Sequence, residues 1–124
     1  MANDGNEPRR PYDLEERTAR YGEAVVTFAR TLAVNPVTEP IIRQLVKSAT
    51  SVGANYCEAD DAGSHKEFRY RISLCKRESR ESKHWLRMIA AAIPERKDEA
   101  RLPWCEAKEL NLIFSAIYRA RKCE

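Results

Sequence analysis

The chain has 124 residues, 43% of them apolar and 33% charged, with a net charge of +3. That suits one globular domain able to bury a core without disulfide or metal staples. No apolar run approaches the roughly 18 residues of a membrane span. The four cysteines (Cys57, Cys75, Cys105, Cys123) and two histidines form no CxxC pair and no metal-ligand spacing.

Residues 1–11, MANDGNEPRRP, are polar, lack the apolar core of a signal peptide, and read as a disordered tail. The remainder, 12–124, reads as one domain. Asp13 with Glu16 forms a capping-box pattern. Leu14, Thr18, Tyr21, Val25, Phe28 and Leu32 then follow at steps of four and three, one helical face that Asn35-Pro36 ends. Thr38 opens a second helix with Pro40 in its first turn, and Ile41, Leu45, Ala49, Val52, Tyr56 and Ala59 share a face. Asp60, Asp61 and Gly63 interrupt it.

Ser64 with Glu67 opens the longest helix, to about Ile93, spanning roughly 45 Å. Phe68, Ile72, Cys75, Leu86 and Ile89 mark its stripe, and Pro94 stops it. ERKDEARLP reads as a polar connection. A fourth helix then runs from about Cys105 to Arg121, burying Leu110, Ile113, Ile117 and Ala120, with Phe114 beside them. Apart from Pro40, the prolines fall outside these periodic segments. The expected fold class is all-α, an antiparallel up-down-up-down four-helix bundle. A three-helix core with a loose fourth helix is the competing arrangement. The cysteines are expected to be reduced and half-buried, in a cytoplasmic protein.

Two helices carry polar residues beside their apolar seams. On the second, Ser48, Ser51, Asn55 and Glu58 form a stripe next to the core. Gly53 costs roughly 1 kcal/mol of helix propensity relative to alanine, so something must pack closely there. On the third, Glu78, Ser79, Glu81 and Ser82 interrupt the seam. Carboxylates there need donors, with Asn55, the serines and nearby arginines as candidates. A catalytic cluster of Glu58, Glu78 and Glu81 is one reading. A polar network that fixes register or lines a subunit interface is the one preferred. The paired Glu-x-x-His motifs of di-iron bundles are absent.

The runs SATSVGANYCEA and SHKEFRYRISLCKRESRESKHWL carry a more specific signal. Ser48-x-x-Ser51-Val52-Gly53-x-Asn55-x-x-Glu58-Ala59, then Ser64 and Phe68, then Glu78-x-x-Glu81 before Trp85-Leu86, resemble the 23S rRNA intervening-sequence protein family. Tyr12-Asp13-Leu14 is similar to that family's start, and the likeness covers about residues 12 to 121. Tyr56 and Cys57 depart from its pattern. The resemblance implies a four-helix bundle and assembly as a homopentamer, in a family with no established enzymatic activity. It also implies kinship with the nucleic-acid-binding accessory protein of diversity-generating retroelements.

Charge is clustered. From Lys66 to Arg87 there are eight basic residues against three acidic ones. Lys66, Arg69, Lys76, Arg80, Lys83 and Arg87 fall near one stripe, and a ring of subunits would repeat it. Arg9, Arg10, Arg119, Arg121 and Lys122 add charge elsewhere. No aromatic residue interleaves with the stripe, so shape and backbone recognition of structured RNA or duplex DNA fits better than base stacking. A solvated helix face is the plain alternative.

Two functions stand: an oligomeric nucleic-acid-binding module, or a structural adaptor whose client is another protein. No nucleophile–base pair, phosphate loop or metal spacing points to an enzyme, so no catalytic residue and no cofactor is expected.

Overall fold

The computed structural model describes residues 13–121, so the expected tail, Tyr12, Lys122 and Cys123 lie outside them. The first helix, α1 (Leu14–Ala29), starts at its expected cap: the Asp13 carboxylate accepts from the Glu16 N–H at 3.5 Å. Glu16 does not complete a capping box; its carboxylate pairs with Arg20 at 2.8 Å. α1 stops at Ala29, well before Asn35-Pro36. There the Thr31 hydroxyl donates to the Phe28 carbonyl and competes with continued helix. Leu32 is still buried.

Asn35 is a start signal rather than a stop. Its Oδ1 accepts from the N–H groups of Val37 (2.9 Å) and Thr38 (3.0 Å), capping α2 (Thr38–Asp60). The Thr38 hydroxyl locks the turn by donating to the Ala33 carbonyl at 2.7 Å. α3 (His65–Ala92) begins as expected, with Ser64 Oγ accepting from the Glu67 N–H at 3.1 Å.

The fourth helix departs from expectation. A short 3₁₀ turn (Pro94–Arg96) leads directly into α4 (Lys97–Ala120), so most of ERKDEARLP is helical. Asp98 and Glu99 lie in the first turn, where carboxylates favour the positive end of the helix dipole. Ala100 is buried, and Trp104, Ala107, Leu110 and Phe114 continue its face. Pro103 is thus inside a helix, where it forgoes the bond its N–H would make to the Glu99 carbonyl. Burial of that face outweighs the loss. The buried stripe is also rotated: Phe114 and Leu110 are at its centre, Ile113 and Ile117 are half-buried, and Ala120 is exposed.

Consecutive helices run antiparallel. Gly22 meets Ala49 and Thr50 while Gly53 meets Thr18. Arg71 meets Asn55 while Cys75 meets Val52. Arg69 lies on Tyr118, Asn111 reaches the Lys76 carbonyl, and Lys83 sits at Trp104. All four helices contribute fully buried side chains, including Val25, Leu45, Ile72 and Phe114, so the chain is a four-helix bundle and not a three-helix core. The α1–α4 seam is the thinnest. Arg17 spans it, donating to Glu106 (2.7 and 2.9 Å) and Glu109 (2.8 Å).

Gly53 has its explanation within the chain. A Cβ built there would stand 3.3 Å from Thr18 Oγ1 and 3.5 Å from the Thr18 backbone carbon. The close neighbour is α1. Gly53→Leu is therefore expected to push α1 away and cost about 2–3 kcal/mol, whereas Gly53→Ala stays within about 1 kcal/mol of the parent. Urea unfolding of the two variants checks this. Equal midpoints would show that α1 does not press on this position.

Candidate nucleic-acid interface

At about 100° per residue, Lys66, Arg69, Lys76, Arg80, Lys83 and Arg87 occupy one arc of α3. The contacts of Arg69, Lys76 and Lys83 place that arc on the α4 side. The acidic residues of α3, Glu67, Glu78 and Glu81, project toward the α2 side of the helix. So does Arg71, which bonds Asn55 on α2. The excess positive charge of α3 is therefore sorted onto one flank.

None of those six basic residues forms an ion pair with a described residue. Arg17, Arg20, Arg43, Arg71, Arg77 and Arg96 all do. Lys66, Lys76, Arg80 and Arg87 are exposed; Arg69 and Lys83 are half-buried. Three of these cations, Arg69, Lys76 and Lys83, touch aromatic rings. The Arg69 guanidinium lies 3.8 Å from the centroid of Tyr118, and Lys76 Nζ lies 5.3 Å from the same ring. Lys83 and Lys108 lie 5.5 and 5.7 Å from the Trp104 ring. Such contacts hold the cations in place without neutralising them.

The expectation that no aromatic interleaves with the stripe is thus corrected. It holds along α3 alone, but α4 supplies Tyr118 and Trp104 from across the seam. An antiparallel helix pair brings these residues together from distant parts of the chain, and no local spacing announces it. Arg101, Lys108 and Arg119 on α4 extend the same basic flank.

The polar residues beside the seam divide into separate groups. Asn55 Oδ1 accepts from Arg71 at 3.3 Å, and Glu58 stands 4.0 Å from the same guanidinium. That is a true cross-helix link. Ser48 and Ser51 donate instead to carbonyls of their own helix, Leu45 and Lys47. Glu78 is mostly covered and pairs with its neighbour Arg77 at 2.9 Å. Glu81 is exposed. No described contact joins Glu58, Glu78 and Glu81 into one cluster.

The residues that do enter the α3 seam are Ser79 and Ser82, both buried. Ser82 donates to the Ser79 carbonyl (3.1 Å), so it accepts from the Tyr21 hydroxyl at 2.6 Å. Burial pushes the Tyr21 phenol well above its ordinary range.

One Glu-x-x-His spacing occurs, Glu81 to His84, but both residues are exposed and no second such pair accompanies it. Among the described residues no group of three or more His, Cys, Asp or Glu is placed to hold a metal ion. Cys57 and Cys105 are exposed rather than half-buried, and Cys75 is fully buried. Burial pushes the Cys75 thiol up to about 12, so it stays protonated and inert at neutral pH. No described helix is long and apolar enough to cross a membrane.

No protein-family profile matches the chain, and no curated protein does. Solved structures do match. One is a protein of unknown function of the S23 ribosomal protein family from Bacteroides thetaiotaomicron, with a TM-score of 0.73 over 84% of this chain and 96% of that one. The two are 21% identical, so what they demonstrably share is the four-helix fold.

Proposed function

We propose that the protein is a non-enzymatic, oligomeric bundle that binds structured RNA or duplex DNA through the basic flank of α3. The observation that carries this reading is the stripe of six cations without a carboxylate partner among the described residues, where six of the ten other described arginines have one. Cations that neutralise phosphates release condensed counterions, which makes binding favourable at low salt and weak at high salt. The homopentamer implied by the sequence resemblance would repeat the stripe around an axis and multiply its phosphate contacts. The S23 neighbour's family is named for a ribosomal protein, which is in keeping with an RNA partner. No cofactor, metal or membrane enters this reading, and the cytoplasm is its setting.

Titration of the purified protein with a structured RNA and a duplex DNA across a salt series tests it. Six phosphates neutralised per stripe give a slope of about −5 in log K against log salt. Negligible binding at low salt would reduce the stripe to a solvated face. The adaptor reading would then lead. It has its own observation: Leu102 (76% exposed) and Leu112 (60% exposed) stand with Cys105 on the outer side of α4, an apolar area suited to a protein client.

A further inference from the structure

α3 and α4 leave a cleft between them near the end of the basic stripe, with a volume of about 270 Å³. Its floor is apolar: Leu86, Ala90 and Ala100. Trp104 forms a wall, and Arg87, Lys97 and Arg101 stand around it. Among the described residues no acidic side chain lines the cleft. None of the three cations is ion-paired with a described residue.

These features restrict what fits. Small-molecule pockets run from about 300 to 1,000 Å³, so this one takes a single ring system rather than a large ligand. An apolar floor disfavours a bare hydrated anion. Three unpaired cations disfavour a neutral hydrocarbon. The remaining ligand is a flat, largely apolar ring with negative charge attached close by. A nucleotide has that form, with a base for the indole and phosphates for the arginines and lysine.

Position adds a second constraint. Arg87 is both the last member of the α3 stripe and part of the cleft. A phosphate backbone held along Lys76, Arg80 and Lys83 is therefore delivered to its mouth. Bases inside a duplex are covered by their stacked neighbours and cannot enter. An unpaired base at a bulge, loop or strand end can.

Resting on the nucleic-acid reading above, we infer that this cleft is a base pocket. It receives one unpaired nucleotide of a structured nucleic acid, stacks its base on Trp104, and holds its phosphates with Arg87, Lys97 and Arg101. The protein thereby prefers interrupted helices over perfect ones.

The test uses the full chain and two hairpin RNAs that are identical except for one bulged nucleotide. Stacking on an aromatic side chain corresponds to about fivefold to hundredfold in affinity per base. The bulged hairpin is expected to bind about tenfold tighter. In a Trp85→Phe background, it alone should quench Trp104 emission. Trp104→Ala should abolish the preference, lowering affinity for the bulged hairpin far more than for the paired one, while Trp104→Phe keeps part of it. Arg101→Glu, at an exposed position that leaves the core intact, should lower affinity for the bulged hairpin more than for the paired one. Equal affinities without quenching, or a preference that survives Trp104→Ala, would overturn the pocket while leaving backbone binding in place. If neither hairpin binds, the nucleic-acid reading fails with it.

Discussion

Replacing Lys76, Arg80 and Lys83 together by glutamate should lower affinity for structured RNA by about a hundredfold or more near 0.1 M salt. It should also make the salt dependence shallower by about three phosphates' worth. The helix should survive. Lys76 and Arg80 are exposed, none of the three has an ion pair with a described residue to lose, and all lie off the buried line of Ile72, Cys75, Ser79, Ser82 and Leu86. Lys83 gives up one contact with Trp104, worth about 0.5–1 kcal/mol at a partly exposed site. Arg77→Glu is the control. Arg77 lies off the stripe and is already paired with Glu78, so its reversal should change RNA affinity by only a few-fold. Binding and circular dichroism measured on the same samples decide the matter. A folded triple variant that binds like the parent would show that the stripe is not the working surface.

The parts of this fold that were readable in the sequence are those that local chemistry determines. Asp13 and Ser64 cap helices because a short polar side chain can satisfy orphan N–H groups within three residues. The faces of α1, α2 and α3 follow from helical spacing alone. The start of α4 was hidden because Pro103 and a run of charges imitate a loop. Only burial of Ala100 against the bundle reveals that the segment has a face to bury.

Asn35 was misread for a related reason: Asn-Pro marks a chain reversal but does not say which helix it serves. Gly53 shows the limit for tertiary structure. Its lack of a side chain announced a close neighbour, yet a sequence cannot distinguish α1 from another subunit as that neighbour. The basic stripe was legible on α3, because its members are spaced along one helix. Its aromatic complement was not, because Tyr118 and Trp104 arrive from α4 through the antiparallel pairing. The cleft beside Trp104 arises from the same pairing and had no local signal.

The rotation of α4 can be measured directly. Phe114 is 0% exposed, its ring centroid lies 6.1 Å from that of Tyr56, and it is the largest fully buried side chain among the described residues. Phe114→Ala removes that packing and leaves a void the surrounding helices only partly fill. The expected cost is about 3–5 kcal/mol. A domain of this kind holds about 5–15 kcal/mol in total, so much of its stability is at stake. With a urea dependence of about 1–3 kcal/mol per molar, the unfolding midpoint should fall by roughly 2 M. Ile117→Ala, at a half-buried position, should lose roughly half as much. The ratio matters more than either value. Hydrophobic spacing alone puts Ile113 and Ile117 at the centre of the buried face and Phe114 at its margin, and would reverse the order. A larger loss at Ile117 than at Phe114 would mean that α4 is turned from the orientation that aims Trp104 and Tyr118 at the basic stripe. The candidate interface would then lose its aromatic half, while the unpaired cations of α3 would still stand.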